Sequence, residues 1–189
     1  AISSPDMCEK QPDLCYKINV EGTSFIIREA LKRKCKVIFF SSDAVYGVDT
    51  GFPFTENSLC NPISNYGKMK RFVEKAFSGN KDFKSLRLSY VFSQFDKFTQ
   101  YYLNCINKDI AAEIYQPFYR NVICLSDLLQ IVFAIIEKWA DIPSGVLNVC
   151  GNELISRINI ADIINRIMNQ ETTTYKLIPV ETEFFKIRP

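Results

Sequence analysis

The chain has 189 residues, 47% apolar and 23% charged, with a formal net charge of +2. That is enough chain to bury a sizeable core, in a composition ordinary for globular proteins, and it gives no electrostatic case for binding nucleic acid or a membrane surface. No apolar run approaches the roughly 18 residues a membrane span needs, and the absence of His excludes Ser–His triads, His-ligated zinc and His acid–base catalysis.

The opening AISSPDMCEKQPD carries no basic-then-apolar signal pattern. Residues 12–34 are expected to form a helix, with Pro12 in its first turn and Leu14, Ile18, Phe25, Ile26 and Leu31 keeping helical spacing. The run KVIFF at 36–40 reads as a buried parallel strand. A polar loop with Gly and Pro follows at 47–62, long enough to suggest a functional loop. Ser64 caps a helix over 65–78 that ends at Gly79-Asn80. Then come a strand over 84–92, a helix over 98–108, and short strands near 112–115 and 121–125. A helix over 126–139 capped by Ser126-Asp127, a strand at 146–150, a helix over 157–168 and a strand near 174–180 complete the pattern. This alternation predicts an α/β fold with a parallel sheet. Shorter strands and more loop in the second half predict a smaller lobe from about residue 92. Seven cysteines without a C-x-x-C pair read as reduced thiols of a cytoplasmic protein, not as a disulfide framework or a zinc site.

Two features carry chemistry. The apolar run ends in Ser41, Ser42 and Asp43, and in α/β sheets ligands bind beyond the carboxyl ends of strands. Tyr66 and Lys70 stand at i and i+4, on one face of a helix. A phenol has a pKa of about 10 and is a poor base at neutral pH, but a neighbouring ammonium lowers that value. With a Ser hydroxyl to hold a substrate oxygen, the set could move a proton in an alcohol–ketone interconversion without any His. The hydride would have to come from a cofactor. Taken singly, each feature is equally a capped strand end or an exposed helix face.

Several stretches, in order along the chain, resemble the extended short-chain dehydrogenases/reductases, the NAD(P)-dependent epimerase/dehydratase group acting on nucleotide sugars. KINVEGTSFIIREA at 17–30 is similar to that family's Asn-Val-x-Gly-Thr helix, and SSDAVYG with YGKMK to its Ser/Thr plus Tyr-x-x-x-Lys set. FTENSLCNPISNYGKMKRFVE at 54–74 follows its Thr-Glu…Asn-Pro…Tyr-Gly-x-x-Lys…Glu pattern. RNVICLSDLLQIV at 120–132 resembles its Arg-Asp-Phe-Ile-His-Val-x-Asp-Leu segment, and IRP at 187–189 its late Arg-Pro. The resemblance implies a Rossmann-like parallel sheet, its cofactor-binding part over 1–91, with a smaller substrate-binding lobe mainly over 92–189. It implies Tyr66 as acid/base, Lys70 as the group that tunes it and holds the nicotinamide ribose, and Ser42 on the reacting sugar oxygen. Ser41 would lie at the cofactor, Asn19 would support the catalytic helix or a water path, and Asp43 and Tyr90 would face the substrate. Arg120 and Arg188 would bind the nucleotide-sugar diphosphate. NAD or NADP would be the cofactor, and a homodimer through the catalytic helices the assembly.

Within the family, Asp43-Ala44 stands where dehydratases carry Asp-Glu, so a dehydratase is not expected. Tyr90 stands where epimerases carry Asn, and LRLSYVF resembles the Leu-Arg-Thr-Ser-Trp-Val-Tyr of dTDP-4-dehydrorhamnose reductases, so 4-keto reduction is the leading expectation. Val-Tyr-Gly after Asp43 keeps an epimerase as the alternative. No Gly-rich pyrophosphate turn occurs in the sequence, and the resemblance implies that roughly 60 residues carrying it would precede Ala1. A non-catalytic regulatory or binding relative is the alternative of another class.

Overall fold

The computed structural model describes residues 1–48, 53–116, 118–169 and 175–179. Near the start two prolines open two short helices, α1 (Pro5–Lys10) and α2 (Pro12–Tyr16), because a residue without an N–H fits where the first turn has no acceptor for one. α2 continues through a π-helical stretch, Lys17–Gly22, into α3 (Thr23–Lys32). The wider π turn rotates the helix face. Cys15, Asn19, Val20 and Ile27 therefore point inward, while Leu14, Ile18, Phe25 and Ile26, whose spacing suggested a core face, are exposed.

The first strand, β1 (Val37–Ser42), runs two residues past the apolar stretch, so Ser41 and Ser42 are strand residues rather than loop. The helix α4 (Asn65–Phe77) is capped by Ser64, whose hydroxyl accepts the Gly67 N–H at 3.1 Å. It crosses over to β2 (Phe83–Leu88), parallel to β1, and β6 (Gly145–Val149) adds in parallel on the far side of β2. Ile27, Phe39, Val73, Phe77 and Phe83 fill one face of this sheet. Leu86, Val149 and Trp139 pack on the other with Leu128 and Ile135 of α6 (Leu125–Glu137). The central strand β2 is buried along most of its length yet carries Lys84, Ser85 and Arg87; Lys84 donates to the Ile142 and Pro143 carbonyls and Arg87 pairs with Glu74.

The single strand expected over 84–92 is two strands in two sheets. At Ser89 the chain leaves the first sheet, its N–H bonding to the Val149 carbonyl at 3.2 Å. It continues as β3 (Tyr90–Phe92), parallel to β5 (Tyr119–Cys124), to which β7 (Leu154–Ser156) pairs antiparallel. A third pair, β4 (Ala112–Gln116) with β8 (Tyr175–Pro179), is parallel. The helices α5 (Lys97–Asn107) and α7 (Arg157–Ile167) pack over β4 through Phe98, Tyr102, Cys105, Ile114, Ile160 and Ile164. The cap of α6 also differs from expectation: Cys124 holds that position without a side-chain bond, and Ser126 and Asp127 fall in the first turn. The fold is α/β with a parallel sheet at its centre, Rossmann-like in its β1–α4–β2 crossover. Among the described residues no helix is long and apolar enough to cross a membrane.

Candidate active site

The carboxyl end of β1 and the first turn of α4 meet directly. Asp43–Val45 form a single 3-10 turn after the strand, and Gly67 packs its backbone against it. A Cβ on Gly67 would fall 2.4 Å from the Ala44 carbonyl oxygen and 3.1 Å from the Pro62 side chain. The missing side chain thus sets how near the first turn of α4 comes to the turn after β1. Gly67→Ala is expected to destabilise the protein by about 1–3 kcal/mol through overpacking and to lower any activity of the site. Urea unfolding checks this, and a midpoint equal to wild type would contradict the close packing.

Ser42, Asp43 and Tyr66 line a cleft of about 800 Å³ together with Arg120, Arg157 and Lys97. Ser42 donates to the Asp43 carboxylate at 3.0 Å and accepts the Ala44 N–H at 3.2 Å. The other Asp43 oxygen accepts from Arg120 of β5 at 2.7 Å, an ion pair in which both side chains are largely buried. Among the described residues the Tyr66 phenol has no hydrogen-bond partner. Burial pushes its pKa up to about 12, with the charges of Asp43 and Cys8 adding to the effect. Lys70 does not reverse this. Its ammonium lies 5.6 Å from the Tyr66 ring centre and 4.7 Å from that of Phe39, and it donates to the Phe40 carbonyl at 2.7 Å. Its own pKa is lowered, chiefly by burial and against the pull of Glu74. In this arrangement the ammonium is directed at a backbone carbonyl, and burial dominates at the phenol. The phenol is protonated at neutral pH.

The other expected residues divide. Asn19 is buried behind the site, where its amide clamps the Ile2 backbone in both directions (2.7 and 2.9 Å) and touches Cys8 and Met69. It reaches Tyr66 only through the packing they share. Ser41 is buried and does not line the cleft; its hydroxyl lies near Glu74. Tyr90 donates to the Asp96 carboxylate and packs against the α5–α7 cluster rather than lining the cleft. Arg188 lies outside the described residues. Arg157 and Lys97 were not foreseen. The available signal was a cation at the first position of each of two helices, where a negative side chain is the favoured one.

A family model described as "RmlD substrate binding domain" matches residues 1–188. The "Methionine adenosyltransferase 2 subunit beta" of Rattus norvegicus is 33% identical over 94 residues, which is 49% of this chain and 28% of that protein. Among solved structures, a hypothetical dTDP-4-dehydrorhamnose reductase from Sulfolobus tokodaii is similar with a TM-score of 0.80 at 24% identity, covering 96% of this chain and 63% of its own. The Bordetella bronchiseptica enzyme WbmG, in complex with NAD and UDP, gives a TM-score of 0.79 at 20% identity, covering 100% of this chain and 61% of its own. The chain thus spans less than two thirds of the length of each.

Proposed function

This chain belongs to the RmlD substrate binding domain family, and from that premise we propose that it forms part of an NAD(P)-dependent oxidoreductase. Its substrate is a nucleotide-activated sugar, and its reaction the reduction of a 4-keto group with Tyr66 as proton donor. The observation that carries the proposal is that Tyr66 and Ser42 line one cleft at the carboxyl end of a parallel strand, with Lys70 beside the Tyr66 ring. A nucleoside diphosphate and NAD are what the WbmG structure holds on the same fold. The residues here fit the nicotinamide-ribose end of such a cofactor: Lys70 uses one proton on the Phe40 carbonyl and keeps two for ribose hydroxyls.

The cofactor, when bound, supplies the hydride. Ser42, free to turn its hydroxyl from Asp43 to a substrate oxygen, orients the sugar carbonyl. Arg120 keeps Asp43 in place and offsets its charge, which would otherwise oppose negative charge growing on that oxygen. As the carbonyl carbon is reduced, its oxygen takes the Tyr66 proton, and Lys70 is the nearby cation that stabilises the phenolate left behind. An epimerase would use the same residues in both directions of proton transfer. Tyr90 in the run LRLSYVF, where epimerases carry Asn, is what favours reduction.

A second reading has its own support, since the rat relative bears the name of a subunit: the chain would serve a binding or regulatory partner rather than turn over. The exposed apolar face bearing Phe25, Ile26 and Phe72 is where we place either such a partner or a second copy. The deciding experiment uses the protein as its gene encodes it, mixed with dTDP- and UDP-linked 4-keto sugars and with NADH or NADPH. Consumption of the reduced nicotinamide in at least one combination is expected. No consumption in any of them would overturn the reductase proposal in favour of the subunit.

A further inference from the structure

Arg157 is the first residue of α7, directly after its cap Ser156. A helix N-terminus carries about half a positive charge, so this is the wrong end for a cation. Burial and a like charge also work against it, while stacking on two rings helps to hold it. The guanidinium is partly buried, and its Nε is fully buried with no hydrogen-bond partner among the described residues. It stands 4.4 Å from the ring centre of Phe118 and 5.1 Å from that of Phe98. Arg120 approaches the same Phe118 ring at 5.5 Å, so two like charges share one aromatic side chain. Arg120 has Asp43 to neutralise it; Arg157 forms no ion pair among the described residues. Asp96, whose charge reaches Arg157, is engaged by Tyr90, Thr99 and backbone N–H groups.

Burial and Arg120 both push the Arg157 pKa down, against the opposing influence of Tyr90 and Asp96, yet a guanidinium in a protein stays charged. The molecule therefore holds a cation against burial, a like charge and a helix dipole at once. Such a conflict of local rules marks a functional position. Lys97 repeats the pattern as the first residue of α5, and both residues line the cleft that contains Tyr66 and Ser42. The first N–H groups of both helices are taken by their own caps, Asp96 and Ser156, but an anion in the cleft would face both cations and give Arg157 the partner it lacks. The two aromatic contacts favour arginine over lysine, because a guanidinium stacked on rings is held as a flat fork that can engage two oxygens together.

We propose that Arg157 is an anion-binding residue of this cleft and that, with Lys97, it takes the diphosphate of the substrate. That the anion is a diphosphate rests on the nucleotide-sugar proposal above; that an anion binds here rests on the guanidinium and on Lys97 in the same cleft.

Titration calorimetry with inorganic pyrophosphate tests it on the wild type, Arg157→Gln and Arg157→Lys, with thermal unfolding as the check on folding. Wild type is expected to bind, Arg157→Gln about tenfold or more weakly, and Arg157→Lys between the two, since it keeps the charge but loses the fork. Pyrophosphate bound as tightly by Arg157→Gln as by wild type would overturn the proposal, as would no binding to wild type. If the Gln variant does not fold, Arg157→Lys decides: unchanged affinity rejects the fork. The two proposals fail separately. Arg157-dependent pyrophosphate binding by a protein that turns over no nicotinamide would leave the anion site and remove the reductase; turnover with pyrophosphate binding indifferent to Arg157 would do the reverse.

Discussion

Tyr66→Phe is expected to lower turnover by about 10²–10⁴-fold, the usual contribution of a positioned proton donor, with little change in stability or substrate affinity. The ring carries the structural part of the residue, packing beside Cys8, Cys15, Val20 and Met69, and Phe keeps it. The hydroxyl alone is lost. Because burial, Asp43 and Cys8 hold its pKa up near 12, the phenol stays protonated across the range in which the protein would be assayed. The rate of reduction should therefore run level from about pH 7 to about pH 10, while the reverse oxidation, which needs the phenolate, should climb with pH throughout. Steady-state kcat and KM for both directions measure this. A Phe variant within about threefold of wild type would remove Tyr66 from the chemistry. A reduction rate that falls from about pH 8 upward would mean that the phenol is tuned as the sequence first suggested.

That contrast locates where the sequence was sufficient. Spacing alone put Tyr66 and Lys70 on one helix face and Ser42 at a strand end, because i, i+4 geometry and the position of ligand sites in α/β sheets are local rules. What Lys70 bonds to is not local. Its ammonium finds the Phe40 carbonyl on a different element, and nothing in Tyr-x-x-x-Lys dictates that. The same limit explains the strand over 84–92. KSLRLSYVF reads as one apolar-rich run, and only the end of β6, whose Val149 takes the Ser89 N–H, shows that the chain changes sheets there. In the first helix, a π turn at Lys17–Gly22 moved the buried face onto Cys15, Asn19 and Ile27, which a period of 3.6 cannot foresee. Arg157 was legible in principle: an Arg directly after a Ser cap, with Asn159 closing the capping box, is a charge at the wrong end of a helix. Its significance appears only when Arg120 and Phe118 are found beside it.

Glu74→Ala is expected to destabilise the protein by about 3–5 kcal/mol, the cost of removing one partner from a buried ion pair. Glu74 is 0% exposed, one turn beyond Lys70 on α4. It accepts from Arg87 Nε at 3.0 Å and Nη2 at 2.8 Å, and from Arg71 at 2.9 Å. Arg87 also donates to the Tyr46 hydroxyl at 2.9 Å, and Tyr46 donates to Asn148 of β6 at 2.5 Å. The network thus ties α4 through β2 to β6. Burial alone would raise the Glu74 pKa, but the bonds and charge of Arg87, with the bond from Arg71, hold it below its ordinary value of 4.5. A depressed carboxylate contributes stability above the unfolded-state pKa and loses it as pH falls through the lower folded-state value. Wild type should therefore lose this contribution only below about pH 4.5. The Ala variant should show its full deficit at neutral pH and a shallower acid transition. Replacing both charges with Met should recover most of the loss, because what Glu74→Ala leaves behind is a buried, unpaired Arg87. Urea unfolding of the three proteins across that pH range measures it. A deficit under about 1 kcal/mol for Glu74→Ala, or a double variant no better than the single, would mean that the pair is solvated rather than sealed. Activity should follow in a second way: Glu74 is the charge that holds the Lys70 pKa up against burial. Glu74→Gln should therefore shift the loss of the Lys70 proton to lower pH and pull in the alkaline limit of reduction.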